Sequence, residues 1–83
     1  MINVLFFAQI RELLGTPSIQ LEAGEHVATT AALRTHLAAK NEKWARVLES
    51  DKLLVAVNQT LSNWHADVND GDEVAFFPPV TGG

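Results

Sequence analysis

The sequence of 83 residues contains no cysteine. This absence excludes disulfide bonds, thiolate nucleophiles and metal sites with cysteine ligands. Basic residues are also scarce, since six Lys and Arg stand against ten Asp and Glu, which gives a formal net charge of −4. Because nucleic-acid backbones and anionic membrane surfaces bind proteins mainly through cations, neither is expected as the main partner.

Long hydrophobic runs are missing as well. No segment approaches the ~20 apolar residues that a membrane span requires. The apolar residues 1–7 lack both the basic region and the length of a signal peptide, so we expect a cytoplasmic protein. With 47% hydrophobic and 19% charged residues, the composition is that of a globular protein. The length allows one small domain with a single core.

Hydrophobic runs and period-two alternation predict several strands along the chain. The predicted strands are residues 2–7, 18–22, 53–57 and 73–77. Residues 58–60 favour a turn, and the segment 61–68 is irregular with room for a short strand. One mixed sheet over a main helix is the economical arrangement, because such a sheet needs only one apolar face covered.

Helical spacing of apolar residues predicts helices between these strands. A short helix is expected over Ala8–Leu14, and Gly15 follows it as a C-terminal cap. The main helix begins after Thr29 or Thr30, because either hydroxyl can accept from an amide of the first turn. A further helical turn starts at Asn41. The element order therefore predicts an α+β protein with one main helix and short extra helices.

The first and last strands each present one face without a polar residue. Because side chains alternate across a strand, we expect these faces to pack on the main helix. The expected core residues are Val4, Phe6, Val74 and Phe76. If the two strands are parallel neighbours, Phe7 and Phe77 meet on the other face, at the end where the chain leaves the sheet. Two interpretations stay open: a partner surface, or a face covered by the short helix or by the segment around Trp64.

Side chains with catalytic chemistry do not form a recognisable site. His26, His36 and His65 fall in three elements without the i, i+4 spacing of metal ligands, so no metal is expected. The carboxylates of residues 67–73 fit a solvated turn better than an acid–base pair. Arg11 fits a salt bridge at a partner's rim as well as it fits a solvated charge. We therefore do not expect the chain alone to be an enzyme.

The C-terminal residues 78–83, PPVTGG, carry the most distinctive chemistry. At a glycine frequency of about 7%, two terminal glycines occur by chance in about one chain in two hundred. The proline pair stiffens the base of the tail, and six extended residues reach about 20 Å. Such a tail could deliver the Gly83 carboxylate to a buried site through a channel too narrow for side chains. Adenylation would make this carboxylate an acyl donor, and a sulfur donor could convert it to a thiocarboxylate.

Four stretches of the sequence resemble a known family. They are residues 4–9 (VLFFAQ), 11–13 (REL), 57–61 (VNQTL) and 70–83 (DGDEVAFFPPVTGG). The sequence resembles the small, sulfur-carrier subunits of molybdopterin synthase over essentially its whole length. The resemblance implies a β-grasp, ubiquitin-like fold over residues 1–77, followed by an extended, flexible diglycine tail at residues 78–83.

The resemblance also implies a function. Gly83 would be adenylated by a separate ATP-dependent activating enzyme and converted to a thiocarboxylate. Val80, Thr81 and Gly82 would then enter the large subunit of molybdopterin synthase, where sulfur passes to cyclic pyranopterin monophosphate. In the family, two small subunits flank a dimer of large subunits, and the catalytic lysine belongs to the large subunit. The chain itself would thus be a carrier without a bound cofactor, since ATP is used by the activating enzyme.

Matching positions in the family suggest which side chains contact the partners. They are Phe7, Arg11, Leu61 and Phe77. The segment 62–68, with Trp64 and His65, has no counterpart that the resemblance can assign. Three alternatives stay open: a sulfur carrier for thiazole or tRNA thiolation, a ubiquitin-type modifier of lysines, and a β-grasp interaction module with an inert tail.

Overall fold

The computed structural model describes residues 1–79, so the predicted tail residues Val80, Thr81, Gly82 and Gly83 lie outside the described residues. Helices and strands follow the predicted order, with most ends within one or two residues of those expected. The strands are β1 (Ile2–Phe6), β2 (Ser18–Leu21), β3 (Leu54–Val57), β4 (Thr60–Ser62) and β5 (Glu73–Phe77). The helices are α1 (Ala8–Leu14), α2 (Thr30–Ala38) and α3 (Glu42–Leu48), with a 3₁₀ turn at Glu25–Val27.

The described strands form one mixed sheet in the order β2-β1-β5-β3-β4. β1 pairs with β2 in antiparallel fashion and with β5 in parallel, while β3 is antiparallel to both β4 and β5. The first and last strands are therefore parallel neighbours, which is the condition on which the expected meeting of Phe7 and Phe77 depended. This pairing brings the ends of both strands, with Phe6 opposite Phe76, to the same end of the sheet.

The hairpin between β3 and β4 turns at Asn58 and Gln59. Both residues have positive φ, 50° and 67°, as a hairpin turn of type I′ requires. The Asn58 side chain also donates to Asp72 Oδ1 at 3.0 Å and accepts from the Glu73 N–H at 3.0 Å, so the turn is tied to the start of β5. Thr60, expected in the turn, already belongs to strand β4.

The core lies between the sheet and the helices, on the face that the alternation predicted. Val4, Phe6, Val74 and Phe76 are all buried there. Phe6 meets the ring of Trp44 edge-on, with centroids 5.5 Å apart, and stacks on Phe76 at 6.1 Å. The strand faces were thus assigned correctly from the sequence.

Trp64 packs on this core face, where its ring stacks on Phe76 at a centroid distance of 6.0 Å. The idea that the segment around Trp64 covers Phe7 and Phe77 is therefore wrong. The guanidinium carbon of Arg34, on α2, lies over the indole ring of Trp64, 4.2 Å from the ring centroid. Its guanidinium also donates to the carbonyls of Leu48 and Ser50, which fixes the end of α3 against α2.

The helix boundaries follow local signals in the sequence. Thr29 caps α2, since its Oγ1 accepts from the Ala32 N–H at 3.1 Å, and Asn41 caps α3 through the Trp44 N–H at 2.9 Å. Gly15 ends α1 in the left-handed conformation, with φ of 74°. Among the described residues, no helix has the length and apolar character needed to cross a membrane.

Candidate functional site

The side of the sheet away from the helices carries a row of apolar residues across four strands. Leu5 pairs with Ala75, Ala75 with Ala56, and Ala56 with Leu61. Two residues further along the strands, Leu54 pairs with Phe77, and Phe7 directly follows β1 beside them. We call these side chains the open face: Leu5, Phe7, Leu54, Ala56, Leu61, Ala75 and Phe77.

Phe7 stands at the point where the chain leaves the sheet for α1. Its N–H donates to the Phe76 carbonyl at 3.2 Å, and its backbone is extended. The next residue, Ala8, has a φ of 51°, a left-handed conformation that is uncommon for a residue with a side chain. This abrupt change of direction leaves the Phe7 ring 46% exposed on the open face.

Leu61 is more exposed still, at 67%, and lies on the edge strand β4. Ala56 and Ala75 lie between Leu61 and Phe7, and both are small and buried. The centre of the open face is therefore a shallow depression flanked by the larger side chains of Leu61 and Phe7. The alternation predicted Phe7 and Phe77 on this face, and the family resemblance suggested Leu61 as a partner contact, but neither indicated Leu54 or Ala56. The alternation within residues 53–57 was the signal that could have found them.

The open face is apolar only toward one end of its strands. At the other end Asn3 pairs with Gln20 of β2 and with Glu73 of β5, and the Gln20 amide donates to Asn3 Oδ1 at 2.8 Å. The polarity therefore changes along β1 and β5, from amide and carboxylate side chains at their start to Phe7 and Phe77 at their end. The apolar surface that a partner could bury therefore lies toward that end of the sheet.

The base of the predicted tail lies at this same end. Pro78 is half-buried and Pro79 is exposed, directly after Phe77. Proline has no N–H to donate to a neighbouring strand, which agrees with the end of β5 at this point. Arg11 is exposed on α1, one turn after Phe7, and its N–H donates to the Phe7 carbonyl at 3.4 Å. The structure thus brings together the predicted contact residues Phe7, Arg11 and Phe77.

The acidic turn before β5 is structural, as the sequence favoured. The N-terminal ammonium group of Met1 donates to Asp70, while Asp72 accepts from Asn58 and from the Asn69 N–H at 2.8 Å. Because β1 and β5 are parallel, this turn lies at the end of the sheet opposite Phe7 and Phe77. These carboxylates therefore take no part in the candidate site.

The three histidines lie in three different elements and are exposed, as the sequence predicted. The rings of His26 and His36 nevertheless meet edge-on, with their centroids 4.9 Å apart. Among residues 1–79, no three His, Asp or Glu side chains come close enough together to hold a metal ion.

Two relatives that match this chain over its full length are named as sulfur carrier subunits. A family model described as the ThiS family matches residues 4–83. The chain is 61% identical to the molybdopterin synthase sulfur carrier subunit of Haemophilus influenzae and 58% identical to that of Escherichia coli, with 100% of each chain covered. Among solved structures, it resembles a chain of the Helicobacter pylori complex of subunits 1 and 2 of molybdopterin-converting factor. That match has a TM-score of 0.68 and 26% identity, over 99% of this chain and 97% of the other.

Proposed function

The chain belongs to the ThiS family, and on that premise we propose that it is the sulfur carrier subunit of a molybdopterin synthase. The observation that carries the proposal is the meeting of the open face and the tail base at one end of the sheet. The folded body then serves to dock the chain, and the reacting group is the Gly83 carboxylate. Because the folded body only docks the chain and the reaction takes place at Gly83, the body needs no catalytic side chains of its own.

The proposed chemistry takes place at the terminal carboxylate. A carboxylate oxygen of Gly83 attacks the α-phosphorus of ATP on a separate activating enzyme, and pyrophosphate leaves. A sulfur donor at the oxidation level of sulfide then attacks the acyl carbon, AMP leaves, and a thiocarboxylate forms. The thiocarboxylate sulfur bonds to a carbon of cyclic pyranopterin monophosphate, from which an oxygen substituent leaves. Water then cleaves the bond between this sulfur and the Gly83 acyl carbon, which leaves the sulfur on the pterin and restores the carboxylate. ATP is bound by the activating enzyme, so this chain needs no cofactor.

The proposed partner at the transfer step is the large subunit of the synthase. Support comes from the Helicobacter pylori structure, whose name describes a complex of subunits 1 and 2. In our proposal Phe7, Leu61 and Phe77 pack on the large subunit, and Arg11 binds a carboxylate at the rim. The tail residues 80–83 enter its active site, where the catalytic side chains reside. Two such pairs would form a cytoplasmic heterotetramer.

The proposal is tested by the mass of the intact chain after coexpression with the activating enzyme. We expect a species heavier by the difference between one sulfur and one oxygen atom, with the change located at Gly83 by fragmentation. A chain expressed without the activating enzyme is the control and should keep the unmodified mass. An unmodified Gly83 in both samples would contradict the proposal.

Copurification separates the remaining alternatives. The large synthase subunit, a thiazole synthase, a tRNA-thiolating enzyme or lysine-linked target proteins would each indicate a different destination for the activated tail. The full-length identity to two molybdopterin synthase sulfur carrier subunits favours the first outcome.

A further inference from the structure

A second surface adjoins the tail base on the helical side of the sheet. It is a groove between α1 and α3 with a volume of about 1040 Å³, and Pro78 and Pro79 form one of its walls. Small-molecule sites are mostly clefts of about 300–1,000 Å³ that enclose their ligand. The volume of this groove lies at the upper limit of that range, and the groove is open to solvent and does not enclose a ligand. A polypeptide segment lying along the groove therefore fits it better than an enclosed small molecule.

The floor of the groove is apolar. Ile10 and Leu53 are buried at its base, while Leu13 is 51% exposed within it. Among residues 1–79, four large hydrophobic side chains are exposed, and Phe7 and Leu61 belong to the open face. Leu13 is not on that face. A partner side chain that covers Leu13 would therefore make a contact separate from the one at the open face.

The rim of the groove is cationic. Lys43, Arg46 and Lys52 line it, which are half of the six basic residues of a chain with net charge −4. No Asp or Glu is among the described residues that line it. Arg46 lies 3.9 Å from Glu42, but both side chains are almost fully exposed, so this ion pair holds the guanidinium weakly. These cations are available to carboxylates of a partner.

The groove is continuous with the open face around the base of the tail. Neighbouring residues alternate between the two surfaces: Leu53 lies in the groove and Leu54 on the open face, while Phe77 lies on the open face and Pro78 in the groove. A partner that buries the open face and receives the tail therefore also reaches the groove.

We propose that an acidic segment of the large subunit, with aliphatic side chains, docks in this groove. Its carboxylates would pair with Lys43, Arg46 and Lys52, and an aliphatic side chain would cover Leu13. The partner would then hold the tail base from both sides, which restricts the direction in which the tail leaves the body. The inference rests on the proposed function, because that function supplies the partner.

Cross-linking can identify the occupant, since the chain has no native cysteine and any single cysteine is a unique attachment point. Leu13→Cys, carrying a maleimide photo-cross-linker, is irradiated in complex with the large subunit. We expect a cross-link to one peptide of the large subunit that contains several Asp or Glu residues. Glu22→Cys, which follows β2 at the opposite end of the sheet from Phe7, is the control and should not label that peptide. Cross-linking of Leu13→Cys to a peptide without acidic residues, or to none, would overturn the proposal.

Charge reversal tests the electrostatic part. We expect the combined Lys43→Glu, Arg46→Glu and Lys52→Glu variant to bind the large subunit about tenfold more weakly at low salt, with the difference shrinking as salt is added. Lys40→Glu is the control: its ammonium group lies over the Trp44 ring, outside the groove lining, and we expect its affinity to stay within about twofold of wild type. Thermal unfolding establishes that both variants are folded.

The two possible failures can be told apart. If the wild-type chain binds the large subunit and the triple reversal binds as well as Lys40→Glu, only the groove proposal is overturned. If the wild-type chain does not bind the large subunit, the proposed function fails and the groove proposal fails with it.

Discussion

At the scale of single residues, Phe6 and Phe7 show how one step along a strand changes the role of a side chain. Phe6 is 1% exposed and contacts Trp44 and Phe76 in the core, whereas Phe7 is 46% exposed on the open face. Alternation across a strand is the physical cause, because neighbouring side chains point to opposite faces. Under the proposed function, we therefore expect Phe6 to contribute to stability and Phe7 to binding.

Replacing each phenylalanine by alanine should give opposite results. We expect Phe7→Ala to weaken binding to the large subunit by about 1–3 kcal/mol, as for an aromatic interface anchor, with little change in the free energy of unfolding. Phe6→Ala should lower the free energy of unfolding by about 3–5 kcal/mol, because it leaves a cavity in the core. Denaturant titration and calorimetric binding measure the two quantities. Extensive unfolding of Phe7→Ala would show that the open face is part of the core.

Phe77 is the second phenylalanine of the open face, and its replacement should change binding and stability in the same direction as the replacement of Phe7. It is half-buried, so Phe77→Ala is expected to weaken binding and to lower stability only slightly. The same two measurements apply. A loss of stability as large as that of Phe6→Ala would contradict its assignment to the interface.

The acidic turn predicts how stability depends on pH. A hydrogen bond from the N-terminal ammonium group, together with its charge, lowers the pKa of Asp70, and the hydrogen bonds from Asn58 and the Asn69 N–H lower the pKa of Asp72. A carboxyl group with a lowered folded-state pKa stabilises the fold above its unfolded-state pKa of about 4. That contribution is lost as the pH falls through the lower, folded-state pKa.

We therefore expect the free energy of unfolding to fall steadily below about pH 4. The Asp70→Asn, Asp72→Asn double variant should be less stable than wild type at pH 7 and should lose less stability on acidification. Chemical denaturation at a series of pH values measures both slopes. Equal slopes for the variant and the wild type would show that these two carboxylates do not couple folding to pH.

At the scale of helices and strands, the boundaries that were predicted well are those with local causes. Gly15 ends α1, Thr29 and Asn41 cap the next two helices, and each signal lies within a few residues of the bond it makes. The long strands were equally readable, because their buried faces alternate with period two. These features depend on sequence neighbours and not on the rest of the fold.

The features that were missed depend on contacts between distant residues. The segment 61–68 is held by bonds to the start of α2: Thr30 Oγ1 donates to the Asn63 carbonyl at 2.7 Å and the Ala31 N–H to the Trp64 carbonyl at 3.2 Å. No sequence motif within the segment predicts that it bonds to the start of α2. The exposure of Leu13 could not be predicted either, because it depends on how much of α1 is covered by α3. Helical spacing within α1 gives no information about that packing.

The cap of α2 is open to a direct test. We expect Thr29→Ala to lower the free energy of unfolding by about 0.5–2 kcal/mol, because the Ala32 N–H loses its acceptor. Thr35→Ala makes the same chemical change at an exposed position inside α2 and should stay within about 0.5 kcal/mol of wild type. Urea unfolding of both variants gives the comparison. Equal effects would mean that the hydroxyl of Thr29 contributes nothing as a cap.

At the scale of the whole molecule, the parallel pairing of β1 with β5 determines at which end of the sheet the candidate site and the acidic turn lie. It puts Phe7, Phe77 and the tail base at one end of the sheet, and Asp70 with the N-terminal ammonium group at the other. The reactivity of Gly83 stays a prediction from the sequence, because residues 80–83 lie outside the described residues. The open face and the basic groove could not be fully predicted, because each is assembled from strands or helices that are distant in sequence.

The separation of the docking body from the reacting end leads to a last prediction. One alanine appended after Gly83 should leave both the free energy of unfolding and the affinity of the body for the large subunit close to wild type. The carboxylate would then belong to a residue with a side chain and lie one residue too far along. We therefore expect no thiocarboxylate and no molybdopterin in an assay with the activating enzyme, a sulfur donor and the large subunit.

Phe7→Ala is the complementary variant in the same assay, because it keeps Gly83 at the terminus but weakens docking of the body. Raising the concentration of the large subunit should restore molybdopterin synthesis by Phe7→Ala and should not restore it in the extended chain. If the tail were inert, neither the added alanine nor removal of Gly82 and Gly83 would change the function of the chain. Full activity of the extended or shortened chain would thus show that the terminal carboxylate is not the reacting group.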